Sequence, residues 1–190
     1  MLNTLIALDE RVFYFFHNWA HFLLGLWKWI AILGVYIIPL VLVWFWLARR
    51  REPALLAFIA GIFAWFGLNN IIGHYVVRMR PTALIDLNFP AHEFLFDRPG
   101  PSFPSDHAAF MTAVMVSFFL AGERRVGWFL AIVTFLTVLA RIVTAQHWPG
   151  DILVGLLVGA ASVAILSVIR RPIDRWLINP LVSFARRIGL

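Results

Sequence analysis

Long apolar stretches separated by short polar connections dominate this chain. Five of them are candidate membrane spans, at 24–47, 53–72, 108–121, 126–144 and 151–169. Several of these approach the roughly 20 residues that a helix needs to cross about 30 Å of hydrocarbon. Inside a bilayer the backbone has no water to bond, and a helix satisfies its N–H and C=O groups within one segment. The pattern therefore predicts an all-α fold, a polytopic membrane helix bundle with five or six transmembrane helices.

The two ends of the chain show a weaker, amphipathic pattern. Residues 1–20 carry apolar positions suited to one helix face, but Asp9, Glu10 and Arg11 interrupt them. This N-terminal helix is expected either to lie in the membrane interface or to span it as the sixth crossing. Residues 172–190 alternate apolar residues with arginines and predict a second interfacial helix. No repeat or linker divides the chain, which predicts a single integral-membrane domain over 1–190.

Composition supports a membrane setting and excludes several kinds of site. Of the 190 residues, 62% are hydrophobic and 14% are charged, and the mean hydropathy of +0.84 lies far above that of soluble domains. Cysteine is absent, which excludes disulfides, thiolate catalysis and Cys-ligated metal sites. Arginine carries nearly all of the net charge of +6, which favours the lipid bilayer and anionic substrates over nucleic acid as partners.

The distribution of arginine predicts an orientation. If each strong segment spans once, the basic residues at 49–51, 124–125 and 170–171 share one face, and the positive-inside rule places that face in the cytoplasm. The connection 82–103 is then an outer loop, expected to act as a lid or as an interfacial spacer. Three basic or histidine-containing clusters fall on this same outer side and break the charge asymmetry, which is typical of a functional anion site.

The cluster nearest the C-terminus carries the most specific chemistry. Arg141 is followed by His147 and, four residues later, by Asp151, while Pro149 marks the first position of the last span. The carboxylate can then hold one imidazole nitrogen and leave the other free to attack. Arg141 can bind phosphoryl oxygens through a pair of guanidinium N–H donors. Taken alone, the segment fits a charged helix end with an interfacial histidine equally well.

The second cluster is Pro104-Ser105-Asp106-His107, directly before an apolar run. Ser105 or Asp106 can cap that helix and expose backbone N–H groups at its positive end. An ordinary cap explains this segment alone, but it does not explain a second histidine on the side that carries His147. A protonated His107 can donate to a departing oxygen while a neutral His147 attacks, which requires different pKa values for the two imidazoles.

The third cluster is Arg78-Met79-Arg80-Pro81. It is expected to end a helix, because proline disfavours the helical conformation in the residue before it. Arginines are ordinary partners of a helix C-terminus. Arg78 and Arg80 are candidate phosphate ligands only because the other two clusters are predicted on the same side of the membrane.

Together these motifs resemble the type 2 phosphatidic acid phosphatase superfamily, over about residues 69 to 159. That family shows a Lys-six-residues-Arg-Pro motif, a Pro-Ser-Gly-His motif and a Ser-Arg-five-residues-His-three-residues-Asp motif. In this chain the matching positions are Arg80-Pro81, then 104–107, then Arg141, His147 and Asp151. The third motif is the most specific of the three.

Three positions depart from the family's motifs: Gly73 stands for the lysine, Asp106 for the glycine and Ala140 for the serine. If the helix runs through to Arg80, Gly73 leaves a gap that Asn69 or Arg78 would fill. The Asp106 variant and the chain length resemble the small bacterial undecaprenyl-diphosphate phosphatases of the bacitracin-resistance type. Beside His107, the carboxylate is expected to keep the imidazole charged.

The resemblance implies a hydrolase of phosphoric esters or anhydrides that needs neither metal nor cofactor. It implies His147 as the nucleophile that forms a phosphohistidine, Asp151 as the residue that orients it, and His107 as the acid for the leaving group. The phosphate ligands would be Arg78, Arg80, Ser105, Asp106 and Arg141.

The expected substrate is a polyprenyl (undecaprenyl) diphosphate, hydrolysed at the periplasmic face of the bacterial inner membrane. Three alternatives stay open: a phosphatase of phosphatidic acid or phosphatidylglycerophosphate, a lipid phosphotransferase, and a catalytically inactive relative that binds lipid phosphate. The sequence also leaves the oligomeric state open.

Overall fold

Helices make up nearly all of the secondary structure in the computed structural model, which describes residues 2–83 and 101–188. They are α1 (Leu2–Ala20), α2 (Leu24–Leu47), α3 (Arg51–Tyr75), α4 (Asp106–Leu120), α5 (Arg124–Val143), α6 (Pro149–Val168) and α7 (170–187). Short 3-10 turns cover His21–Leu23 and Pro81–Ala83. No strand occurs within the described ranges, and the predicted all-α fold is confirmed.

Four helices are long and apolar enough to cross a membrane: α2, α3, α5 and α6. Helix α4 is also apolar, but it has 15 residues, which rise about 22 Å at the usual helical pitch. These five helices correspond to the five strong segments of the sequence, so the chain is a multi-pass helical membrane bundle. Helix α1, whose depth the sequence left open, is not among the four.

Helix α4 lies at the centre of the bundle, packed against α3, α5 and α6. Two glycines four residues apart on α6 permit the closest approach between α6 and α4. A Cβ atom at Gly155 would lie 2.7 Å from the backbone oxygen of Ser105, and one at Gly159 would lie 2.4 Å from that of Ala109. Small residues let two membrane helices approach closely. As a result, the start of α4 meets the start of α6, which joins two of the three clusters.

Helix α1 is attached to the end of the bundle where α5 ends and α6 begins. Phe13 is fully buried, and its ring lies 5.1 Å from that of Trp148. His17 Nδ1 lies 2.7 Å from the backbone oxygen of Val143. These contacts place α1 beside the connection that carries the third motif, although nothing in the local sequence of α1 indicates that neighbour.

The arginine-rich connections lie together at the opposite end. Arg50 donates to Glu123 at 2.9 Å, and Arg170 donates to Glu52 at 2.6 Å. These ion pairs join the α2–α3, α4–α5 and α6–α7 connections, so the predicted grouping of 49–51, 124–125 and 170–171 on one side is confirmed.

Helix α3 ends earlier than the sequence predicted. It contains a π-helical stretch, Phe63–Asn69, and stops at Tyr75, while Val76 is extended with φ −127° and ψ 104°. The expectation that the helix continues to Arg80 is therefore wrong. β-Branched Val76 and Val77 weaken the helix locally, and contacts with the start of α6 hold the extended segment.

Two predicted segments are only partly described. Residues 84–100, most of the outer loop 82–103, lie outside the described residues, so the lid and spacer interpretations stay predictions. Helix α7 covers most of the region predicted as a C-terminal interfacial helix, 172–190; it includes a π-helical stretch, Asp174–Ile178, and ends at Arg187. Its interfacial location stays a prediction.

Candidate active site

The start of α6 holds a fully buried carboxylate. Asp151 accepts the backbone N–H of Trp148 at 2.9 Å through Oδ2 and a guanidinium N–H of Arg78 at 3.0 Å through Oδ1. Pro149 is the first helical residue, as the sequence predicted. An acidic residue in the first turn accepts an otherwise unpaired N–H and complements the helix dipole. Hydrogen bonds to both carboxylate oxygens therefore fix the Asp151 side chain.

His147 lies directly before α6 and is 2% exposed. Its Nδ1 is 2.9 Å from the backbone oxygen of Ser102 and 3.8 Å from Asp151 Oδ2. A carbonyl oxygen only accepts, so Nδ1 carries a proton, and in the neutral ring the lone pair lies on Nε2. Nε2 is buried and has no hydrogen-bond partner among residues 2–83 and 101–188. In the neutral ring, Nε2 is therefore a nitrogen with an available lone pair.

The surroundings of His147 keep it neutral. Burial lowers the pKa of His147 below its ordinary value, because the charged form loses its hydration. The carboxylate of Asp151 opposes this effect and raises the pKa, while the positive charges of Arg80 and Arg141 lower it further. The net direction is downward, which agrees with the tautomer that the Ser102 contact selects.

The second cluster meets the third at the start of α4. Ser105 is the N-cap of α4, and its Oγ accepts the N–H of Ala108 at 3.4 Å, as the sequence predicted for this segment. The backbone N–H of Ser105 donates to the backbone oxygen of Asp151 at 3.1 Å. The two helix starts are therefore hydrogen-bonded to each other, which holds His107 on the same side of the bundle as His147.

His107 pairs with an arginine from α5. The side chain of Arg141 is fully buried, and its Nη2 lies 3.1 Å from His107 Nε2. A guanidinium only donates, so Nε2 accepts and carries no proton in this state. This differs from the expectation that Asp106 keeps the imidazole charged. Adjacent residues of a helix do not face each other, and Asp106 accepts a hydrogen bond from Asn69 Nδ2 at 2.7 Å.

The two arginines of the first cluster, Arg78 and Arg80, have different partners. Arg78 bonds Asp151 and also Asp9, at 2.6 Å, and its guanidinium stacks 4.8 Å from the ring of Trp148. Arg80 donates to the backbone oxygen of Gln146 at 3.0 Å, and its charge acts on both histidines. The structure therefore places Arg80 beside the two imidazoles and Arg78 on two carboxylates.

Asp9 also lies at the site, although it belongs to none of the three sequence clusters. Its Oδ1 accepts the backbone N–H of Gly150 at 2.7 Å, and its Oδ2 pairs with Arg78. The one signal in the sequence was a carboxylate within an apolar helix, where charge is costly. The backbone oxygen of Ser102 was also missed, and no side-chain pattern can reveal such a group.

The position of the family's lysine is occupied by close packing. A Cβ atom at Gly73 would lie 3.2 Å from the backbone oxygen of Phe103 and 3.5 Å from Pro104 Cδ. One turn earlier, buried Asn69 donates to the backbone oxygen of Pro104 at 3.1 Å and to Asp106. Asn69 therefore supports the loop before α4, and within residues 2–83 and 101–188 the contacts at Gly73 are with Phe103 and Pro104, not with a charged group.

An apolar cleft leads away from His107. It has a volume of about 280 Å³ between α2, α3 and α4, and Asp106 and His107 form its polar end. The rest of its lining includes Val35, Pro39, Phe58, Ile62, Trp65 and Phe110. The candidate site thus joins a charged, hydrogen-bonding end to a space suited to hydrocarbon.

Comparison with known proteins assigns the chain to a family. The model of the PAP2 superfamily matches residues 54–174, which include all three clusters. The chain belongs to the PAP2 superfamily. This finding confirms the resemblance derived from the motifs, and in this PAP2 chain the matched region begins on α3 and ends within α7.

Two curated relatives of this PAP2 chain come from Bacillus. The Bacitracin transport permease protein BcrC of Bacillus licheniformis is 30% identical over 131 residues, 67% of this chain and 62% of the relative. The Undecaprenyl-diphosphatase BcrC of Bacillus subtilis (strain 168) is 32% identical over 122 residues, 63% of this chain and 60% of the relative. The chain thus spans about three fifths of the length of these relatives. No solved structure matches.

Proposed function

We propose that this protein is a lipid phosphatase that removes a phosphoryl group from a polyprenyl (undecaprenyl) diphosphate through a phosphohistidine at His147. One observation carries the proposal: a buried imidazole is held neutral, with Nε2 unpartnered among the described residues, at the end of the bundle that also carries Arg80 and Arg141. A neutral nitrogen beside fixed positive charges suits attack on an anionic phosphoryl group.

The first step is in-line transfer of the terminal phosphoryl group. His147 Nε2 forms a bond to phosphorus while the bond to the bridging oxygen breaks, and the polyprenyl monophosphate departs. The incoming phosphate draws Arg141 away from His107 Nε2, which then takes up a proton from solvent and delivers it to the departing oxygen. In the second step water attacks the phosphohistidine, His107 accepts the water proton, the N–P bond breaks and inorganic phosphate leaves.

The arginines supply most of the stabilisation, because phosphoryl transfer depends on positioning and on neutralising the oxygens. Arg80 and Arg141 are the phosphate ligands in this scheme, together with the N-cap Ser105. Asp151 holds Arg78 and the start of α6 and keeps His147 in place. Metal and cofactor are not used.

The apolar cleft supports a lipid substrate. When a diphosphate is bound between the two histidines, its hydrocarbon chain can leave through the cleft, whose polar end lies at His107. The relative from Bacillus subtilis is named an undecaprenyl-diphosphatase, which favours a polyprenyl diphosphate over phosphatidic acid or phosphatidylglycerophosphate. The site is proposed to face the periplasm of the bacterial inner membrane, opposite the arginine-rich connections.

A second candidate is a catalytically inactive protein that binds lipid phosphate. Gly73 favours it, since the family's lysine is missing and Phe103 packs where that side chain would begin. One relative, moreover, is named a transport permease. This candidate predicts binding of polyprenyl diphosphate without release of phosphate.

Phosphate release by the purified protein in detergent distinguishes the candidates. Polyprenyl diphosphate, phosphatidic acid and phosphatidylglycerophosphate are assayed side by side, with and without EDTA. We expect the fastest release from the diphosphate, no effect of EDTA and a radiolabelled phosphohistidine after rapid quenching. His147→Ala should abolish both phosphate release and the phosphohistidine. His74→Ala is the matched control, an exposed histidine outside the hydrogen-bond network. An active His147→Ala protein overturns the mechanism, and tight binding without turnover favours the second candidate.

The orientation has its own test, because the chain contains no cysteine. Single cysteines introduced as Ala83→Cys and Arg125→Cys lie at opposite ends of the bundle and are both exposed. A membrane-impermeant maleimide added to intact cells with a permeabilised outer envelope should label only the first. Labelling of only the second would reverse the proposed orientation.

A further inference from the structure

A cavity of about 400 Å³ lies at the arginine-rich end of the bundle, far along the helices from the histidines. The connection between α2 and α3 forms one wall and α7 forms the other. Four arginines line it: Arg49, Arg50, Arg51 and Arg186. Such a concentration of one sign of charge around one space is repulsive unless an anion enters it.

Arg51 is the most informative of the four, because its side chain is enclosed. The residue is 4% exposed, and its Nε has no hydrogen-bond partner in the part of the chain that the structure describes. Its guanidinium lies 5.6 Å from the ring of Trp46. Arginine is almost never buried without a partner, since an unpaired buried charge is costly. An anion in the cavity would supply the missing acceptor.

The acidic groups at this end are already engaged. Glu123 pairs with Arg50, and Glu52, which lines the cavity, pairs with Arg170 at 2.6 Å. Among the described residues no carboxylate lies within ion-pair distance of Arg51. The cavity therefore keeps a net positive lining after the internal ion pairs are counted.

Helix α7 presents a matching polar face. Asn179, Ser183 and Arg186 all line the cavity and are spaced four and three residues apart, which places them on one side of a helix. Arg187, the next residue, does not line it. Amide, hydroxyl and guanidinium groups together offer the donors that phosphate oxygens accept.

We propose that this cavity binds a phosphate-bearing anion, independently of the chemistry at the histidines. Guanidinium groups bind phosphate through paired N–H donors. Basic pockets beside membrane helices on the cytoplasmic side take the headgroups of anionic lipids. The phosphate belongs either to such a headgroup or to a free phosphate from solution, and the cavity bridges α7 to the α2–α3 connection once it is filled.

Binding to the purified full-length protein in detergent tests the proposal, with native mass spectrometry as the readout. The probes are phosphatidylglycerol, phosphatidylcholine as the neutral-headgroup control, and inorganic phosphate. Arg186→Gln is compared with Arg187→Gln, a neighbour of equal charge and similar exposure. We expect Arg186→Gln to weaken binding by about tenfold, the effect of one lost charge-assisted contact, and Arg187→Gln to leave it unchanged.

The outcomes separate the two sources. Loss of phosphatidylglycerol binding in Arg186→Gln supports the cavity and identifies a lipid headgroup. Loss of inorganic phosphate binding alone supports the cavity and identifies a free anion, since phosphate held at the histidines is common to both variants. Equal binding by the two variants, or phosphatidylcholine bound as tightly as phosphatidylglycerol, overturns the proposal. Arg51→Gln adds a second measurement wherever that variant folds.

Discussion

Asp9 accepts the backbone N–H of Gly150 at 2.7 Å, across 141 residues of chain. The same carboxylate pairs with Arg78, which in turn bonds Asp151 at the start of α6. A continuous line of charged groups therefore runs from α1 to the residue beside His147. The N-terminal helix therefore contacts the charged residues that surround the candidate site.

The first prediction concerns this line of charges. Asp9→Asn keeps an oxygen that can accept the Gly150 N–H but removes the charge that faces Arg78. The first turn of α6 should therefore be held less rigidly. We expect kcat to fall by roughly tenfold while KM changes little, because a contact remote from the substrate positions the nucleophile. Steady-state kinetics with polyprenyl diphosphate checks this. Glu10→Gln, an exposed neighbour, is the matched control, and an equal loss in both variants would show that α1 acts only through general stability.

The second prediction concerns pH. Burial lowers the pKa of His147, so the imidazole stays neutral to a lower pH than a free histidine. The acid limb of kcat/KM should therefore lie below about pH 6.5, the ordinary value. Measuring kcat/KM from about pH 4 to about pH 8, a range that brackets the ordinary histidine pKa, checks this prediction. An acid limb above the ordinary value would contradict a neutral His147 in the free enzyme.

The same lowered pKa has a consequence for stability. The unfolded chain binds a proton at this histidine more readily than the folded protein does. The free energy of unfolding is therefore fully retained above the ordinary histidine pKa and falls as the pH drops below it. His147→Gln should show a shallower fall than the unaltered protein in thermal unfolding at a series of pH values, with His74→Gln as the control for a solvent-exposed histidine.

The third prediction concerns Arg141. In Arg141→Gln the phosphate loses a buried guanidinium and His107 loses its partner at 3.1 Å. We expect kcat/KM to fall by roughly 100-fold or more, as when a fixed donor to transition-state oxygens is removed. The control lies near the other end of α5, where Arg125 is exposed, and Arg125→Gln should retain full activity. An active Arg141→Gln protein would remove Arg141 from the site.

The fourth prediction concerns the contact between α4 and α6. Gly159→Ala places a Cβ 2.4 Å from the backbone oxygen of Ala109, so one helix must move. We expect a loss of about 1–3 kcal/mol in the free energy of unfolding, as for other overpacked interiors, and lower activity, because both helix starts carry site residues. Gly25→Ala meets no atom within 4 Å and should be neutral or stabilising. Reversible unfolding in mixed detergent micelles measures both variants.

The sequence by itself determined the membrane helices, the family and the chemical groups of the candidate site. Lipid imposes long apolar segments whose backbone bonds are local, so hydropathy locates α2, α5 and α6 to within a few residues. The motif residues His107, Arg141, His147 and Asp151 are recognisable because their types and spacings match the motifs of the PAP2 superfamily. The N-cap at Ser105 and the helix start at Pro149 follow from local backbone chemistry and were predicted.

Only the tertiary structure decided how these groups are held. The Ser102 carbonyl that selects the His147 tautomer lies 45 residues away in the chain, and Asp9 lies 141 residues from Gly150. The early end of α3 and the Arg141 contact that leaves His107 without a proton at Nε2 are also results of packing between distant segments. Local periodicity reports which face of a helix is apolar, but it carries no information about which distant backbone group will meet that face, because that choice is made by the packing of whole helices.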